Sequence, residues 1–273
     1  MPRRPPGALS VLLWCAPLLC TLLLAGCSAT SEGSDADPDQ VDAVEAPELG
    51  ACRVLTPEDV AEPTNATRTV DCSEEHTAQT FAVGQLPARF DDAAYDDEEL
   101  GGFAYRACSS RFERFLGADE SLAMRTVVSW AWFRPSKEAW AQGARWYRCD
   151  VVGGGDRSGN YVALPDDARG LLQGRRDDRW LVCAQGATVA SGARVPCTEP
   201  HTWRAVTTIK LGEAEDDYPG DRLVEVRTRD FCDKSVGAVL GYPVTYDFAY
   251  TWFHEAEWEV GNRRSICWAR TDR

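Results

Sequence analysis

A cysteine and a histidine recur at one spacing in two places: Cys72-x-x-x-His76-Thr77 and Cys197-x-x-x-His201-Thr202. An imidazole beside a thiol can draw off its proton and make a nucleophile. Two thiolates and two imidazoles could also complete a tetrahedral zinc shell. Both chemistries need a free thiolate, and a cysteine held in a disulfide neither attacks nor ligates. No Cys-x-x-Cys pair accompanies the histidines, and His254-Glu255-Ala256-Glu257 lacks the second histidine of a His-Glu-x-x-His zinc helix. The spacing therefore assigns no catalytic residue, no metal ligand and no cofactor. His76 and His201 are expected to open a strand and bond a backbone carbonyl or a carboxylate, with ligand contact or pH sensing as the functional alternative.

The cysteines also organise the chain. Eight lie beyond the N-terminal apolar stretch: Cys52, Cys72, Cys108, Cys149, Cys183, Cys197, Cys232 and Cys267. Their surroundings align in two sets of four. Cys108 and Cys232 each lead to a Leu-Gly pair, Leu116-Gly117 and Leu240-Gly241. Trp140, Gly143, Arg145 and Cys149 match Trp258, Gly261, Arg263 and Cys267. This is a tandem duplication, with one repeat over 51–153, a polar connecting loop over 154–178 and a second repeat over 179–273. Helical spacing marks Glu98–Leu116 and the region near Leu223–Leu240. Strand patterns mark Thr77–Val83, Arg125–Phe133, Thr202–Ile209, Asp247–Phe253 and the segments ending each repeat. The predicted fold is α+β: two small homologous domains, each a mainly antiparallel sheet with one main helix and two disulfides. Confinement of the bonds to each repeat, with one pattern for both, leaves three arrangements. The favoured one joins Cys52 to Cys72 and Cys108 to Cys149, and likewise Cys183 to Cys197 and Cys232 to Cys267.

The N-terminus gives the address. Arg3 and Arg4 precede an apolar run ending in Leu24-Ala25-Gly26-Cys27, a lipobox at which a signal peptidase cuts. Residues 1–26 read as a lipoprotein signal peptide and Cys27 as the lipidation site, its acyl chains (palmitate among them) giving a stable anchor at the outer face of the cytoplasmic membrane. Residues 27–50, rich in Asp and Glu and without a basic residue, read as an acidic tether. Loss of Arg3 and Arg4 from 29 basic residues leaves 27 against 43 acidic ones, a net charge of −16. Such a surface repels polynucleotides and excludes nucleic acid as a partner. Disulfides fit this compartment. Heavy Arg and Asp usage with three lysines suggests a GC-rich genome, as in actinobacteria.

Val70-x-Cys72-x-x-x-His76, the helix cysteine Cys108, and Pro135-x-x-x-x-Trp140-x-x-Gly143-x-Arg145-x-x-x-Cys149 together resemble the actinobacterial septum formation domain family. The second repeat shows Val195, Cys197, His201, Cys232, Trp258, Gly261, Arg263 and Cys267, and the resemblance covers about 51–273. Glu75 stands where the family places proline before the first histidine, whereas Pro200 keeps it. The resemblance implies an envelope protein linked to cell division and transfers no catalytic residue. The expected protein is a non-enzymatic, lipid-anchored interaction module, partnered by an envelope or divisome protein or a cell-wall polymer. Two alternatives stand beside it. One is a cysteine-dependent cell-wall hydrolase, since Asp71-Cys72-Ser73 echoes papain-like peptidases, although Glu74-Glu75 replace their glycine and bulky apolar residues. The other is a solute- or metal-binding lipoprotein.

Overall fold

A computed structural model describes residues 35–154, 161–174 and 177–271. The signal peptide, Cys27, the start of the tether and part of the connecting loop lie outside the described residues. In the first repeat the order is α1 (Pro38–Val41), β1 (Cys52–Arg53), α2 (Pro57–Ala61), β2 (Thr69–Val70), β3 (Ala78–Gln85), α3 (Glu99–Leu116), α4 (Glu120–Ala123), β4 (Ser129–Phe133), α5 (Lys137–Ala141) and β5 (Trp146–Val152). The second has β6 (Val182–Gln185), β7 (Ala193–Pro196), β8 (Trp203–Lys210), α6 (Asp221–Val239), β9 (Phe248–Thr251), α7 (Glu255–Val260) and β10 (Arg264–Arg270). Each repeat forms a five-stranded antiparallel sheet, ordered β2-β1-β3-β5-β4 and β7-β6-β8-β10-β9.

The duplication extends to defects in the ladder. Thr80 pairs Asp150 and Ala82 pairs Cys149, so Phe81 is an extra residue on β3. Ala205 pairs Trp268 and Thr207 pairs Cys267, which leaves Val206 as its counterpart. A bulge kept at one position in both repeats bends each long strand next to its helix-bound cysteine. The bonds are Cys52–Cys72, Cys108–Cys149, Cys183–Cys197 and Cys232–Cys267. One of each pair ties neighbouring early strands, and the other pins the main helix to the last strand.

The Trp-x-x-Gly-x-Arg motif is an architectural clamp. The Arg145 guanidinium lies 4.1 Å from the centre of the Trp140 ring and donates to the Trp140 carbonyl at 2.9 Å. Arg263 sits 3.5 Å over Trp258 and bonds its carbonyl in the same way. The chain must reverse between the two residues, and Gly143 and Gly261 adopt φ of 93° and 120°, where an L side chain is strained. The stacked guanidinium satisfies the orphan carbonyls at the end of a one-turn helix.

Three sequence expectations change. The acidic stretch 35–50 packs on the first repeat: Asp37 N–H donates to the Ala66 carbonyl at 2.8 Å, Trp146 Nε1 to Ala43 at 3.1 Å, and Ser136 Oγ to Asp42 at 2.6 Å. Apart from Asp42, which accepts from Ser136, the docking bonds cited are made by backbone and tryptophan N–H groups, so an acidic composition does not prevent docking. Residues 161–174 of the connecting loop also pack, burying Leu164, Ala168 and Leu172. Gly170 and Leu172 N–H reach the Phe115 and Leu116 carbonyls at 2.7 and 3.0 Å and complete the end of α3. The strand expected from Arg125 begins only at Ser129. Val127 donates to Trp180 and Val182 to Arg125, each at 3.0 Å, so this stretch bridges the two repeats instead.

Candidate functional site

The Cys-His pairs are structural in their placement. Cys72 and Cys197 are bonded to Cys52 and Cys183, so neither offers a thiolate. His76 and His201 are buried at 0 % and 4 % exposure. Their Nδ1 atoms lie 2.8 Å from the Glu74 carbonyl and 2.7 Å from the Glu199 carbonyl, two residues upstream. A carbonyl only accepts, so Nδ1 carries the proton in both rings. Each ring thereby closes the turn that feeds β3 or β8. Among the described residues no three His, Cys, Asp or Glu side chains are placed to hold a metal ion.

A polar assembly lies on the outer face of the first sheet. Arg53 donates to the Thr67 carbonyl at 3.1 Å and to Thr80 Oγ1 at 2.9 Å; Thr80 donates to Asp150 at 2.7 Å. Arg148 Nε lies 3.0 Å from the other Asp150 oxygen, and Nη2 bonds Asn65 Oδ1 at 2.9 Å. All four of Arg53, Thr80, Arg148 and Asp150 are at most 1 % exposed. Burial, then the neighbouring Arg148, brings Arg53 down to about 10. Two guanidiniums share one carboxylate here, and the network seals the sheet under the loop carrying Asn65 and Thr67.

The cleft with accessible chemistry sits where the repeats meet. Tyr105, Ser109, Phe112 and Glu113 project from one side of α3, at the three- and four-residue steps of a helix. Asp119 caps α4 by accepting the Leu122 N–H at 2.7 Å, and so turns Glu120 toward that side. Met124 and Trp130 complete a cavity of about 290 Å³. The second repeat braces it. Glu120 is paired with Arg264, Thr208 Oγ1 bonds Ser121 Oγ at 2.8 Å, and Gly261 lets the Tyr105 ring approach its backbone. The Tyr105 and Trp130 rings meet edge to face at 5.9 Å.

Two groups in this cleft have perturbed acidities. Burial, then Glu120 and Glu113, pushes the Tyr105 hydroxyl up to about 12. Burial, then the negative charge of Glu120, raises the Glu113 carboxyl above its ordinary value, with Arg264 and Arg114 opposing. Unlike Glu120, the Glu113 carboxylate has no hydrogen bond or ion pair among the described residues. The sequence did not single out Tyr105, Glu113 or Glu120. The signal was the polar set Tyr105, Ser109 and Glu113 on the α3 face adjoining the apolar stripe, and it points to a site only once α4, with Glu120, is folded beside it.

Fold and site together define a class: a double module of disulfide-pinned α+β repeats, fused through a shared core, with a small aromatic and acidic cleft at the joint. The chain belongs to the septum-formation family, whose model, described as "Septum formation", matches residues 17–134 and again 126–267. No curated protein and no solved structure matches it.

Proposed function

We propose that the protein is a lipid-anchored, extracytoplasmic interaction module of the cell envelope that acts in septum formation without catalysis of its own. Cys27 holds the lipid, residues 28–34 lead to the docked segment, and the repeats stand outside the cytoplasmic membrane. The observation that carries this reading is the use of all eight cysteines beyond Cys27 in four intradomain bonds. Disulfides at this density belong to an oxidising compartment. The family description supplies the link to septation. A hydrolase working through Cys72 or Cys197 is disfavoured because each sulfur already has a partner. The partner is an envelope or divisome protein or a cell-wall polymer; the acidic surface disfavours nucleic acid.

Mass spectrometry of the mature protein after alkylation under non-reducing conditions tests the reading. The expected result is a diacylglycerol-modified Cys27 at the N-terminus, four bonds as paired above and no alkylated cysteine. A free thiol at Cys72 or Cys197 overturns it and restores the hydrolase. An unmodified Cys27 removes the anchor.

A further inference from the structure

The cleft between α3 and α4 has the composition of a cation site, and we propose that it binds a primary alkylammonium group carried on a short apolar stem, as on a lysine-type side chain. The Glu113 carboxylate is half-withdrawn from water and has no partner among the described residues, so it gains most from a ligand that brings positive charge and N–H donors. Tyr105, Phe112 and Trp130 line the same cavity, and aromatic faces attract an ammonium while accepting its methylene stem. The volume of about 290 Å³ suits a side chain rather than a folded partner.

The second repeat shows that this cleft is not required by the fold. Position for position, Gly237 replaces Glu113 and Val244 replaces Glu120, counted from Cys232 and Cys108. The Tyr246 ring fills the space, its hydroxyl 2.7 Å from where a Cβ on residue 237 would stand. A sheet and helix of the same topology therefore close with glycine and valine at the two carboxylate positions, the Tyr246 hydroxyl bonding instead the Asp233 carbonyl at 2.9 Å and its carboxylate at 3.0 Å. Other ligand classes fit less well. An anion meets Glu113 and Glu120, a metal ion finds two carboxylates of which one is committed to Arg264, and a neutral ligand leaves the Glu113 carboxylate with only the more distant Arg264 and Arg114 charges. The net charge of −14 draws cations toward the site. This assignment stands on the cleft alone and does not depend on the septal reading.

The test is titration of the mature protein with n-butylammonium chloride at constant ionic strength, following Trp emission and the NMR signals of Tyr105 and Trp130. The expected result is saturable binding that perturbs those two rings and is at least tenfold weaker in Glu113→Gln. Tetramethylammonium, without N–H donors, binds more weakly, and n-butanol gives no saturation. Binding also weakens as the Glu113 carboxyl is protonated, with Glu120, Asp119, Tyr105, Arg114 and Arg264 as the other ionisable groups around it. In Glu113→Gln that pH dependence disappears. Equal saturation by n-butanol, or undiminished butylammonium binding to a Glu113→Gln protein with native NMR dispersion, overturns the assignment. A preference for tetramethylammonium overturns the primary-amine part and transfers the cleft to quaternary headgroups.

Discussion

The two repeats place opposite chemistries at equivalent points of the same sheet. Arg53, Thr80, Arg148 and Asp150 in the first correspond to Ala184, Ala205, Ile266 and Trp268 in the second. The apolar version joins one hydrophobic cluster with Val127 and Val128, so the second repeat buries this face against the first. The polar version is sealed by Gln40, Asn65 and Thr67 through arginine bonds. The helix ends differ in the converse sense. Phe115 and Leu116 are 6 % and 0 % exposed under the 161–174 segment, whereas Val239 and Leu240 are 57 % and 37 % exposed. One topology thus tolerates either solution on either surface, provided each burial is completed. The shared features are the bulge, the disulfides and the Trp-Arg clamp.

The largest effect expected from this contrast is at Asp150. Asp150→Ala leaves Arg148 charged, fully buried and without its counter-ion, and should cost about 3–5 kcal/mol in urea unfolding. Replacing the buried charges together, Arg53→Ala and Arg148→Met with Asp150→Leu, should recover most of that loss by imitating the second repeat's apolar solution. If the single change costs no more than a surface substitution, the polar network does not seal the first sheet.

Much of this architecture was legible before any coordinates, and the reasons are local. Cysteine spacing and the Trp-x-x-Gly-x-Arg motif exposed the duplication because each is fixed by contacts within one repeat. The α3 helix was visible because Leu100, Ala104, Ala107, Cys108, Phe112 and Phe115 recur at its period. Residues 35–50 and 161–174 were not: the first docks through single N–H···O bonds that leave no periodic trace, and the second buries Leu164, Ala168 and Leu172 from a stretch that forms neither helix nor strand. Val127 and Val128 read as strand because alternation cannot tell pairing within a sheet from pairing across repeats. The cleft was hidden for the same reason: Glu113 and Glu120 meet only through the turn at Gly117, and the ion pair that braces Glu120 comes from Arg264, 144 residues away.

The helix ends give a second, smaller contrast. Leu172→Ala should cost about 2 kcal/mol, because a buried leucine over the end of α3 is truncated in a segment that can partly collapse. Val239→Ala, at the matching helix end of the second repeat, should stay within about 0.5 kcal/mol, since that residue is 57 % exposed. Equal losses at the two sites in urea unfolding would mean that the second helix end is covered in solution.

Glu113→Gln sets the cleft against its closed counterpart and is the smallest effect. The folded protein holds the Glu113 proton more tightly than the unfolded chain, whose carboxyl titrates near the ordinary value of 4.5. A raised folded-state value means that stability falls as pH rises from about 4.5 through the folded titration, and stays lower above it. Glutamine keeps the shape and removes that penalty. Glu113→Gln should therefore be more stable than the natural protein at pH 7 and indistinguishable from it below about pH 4. Because the group is partly solvated, screening holds the gain well under 1 kcal/mol, or about 1–2 °C in Tm. Gly237 carries no such group, so the pH-dependent difference belongs to the first repeat. Saturating butylammonium should stabilise the natural protein at pH 7 and not the variant, because only the natural cleft carries a charge that the ligand can neutralise. A gain from Glu113→Gln that persists unchanged at pH 4 would show that packing, not charge, sets the energy of this site.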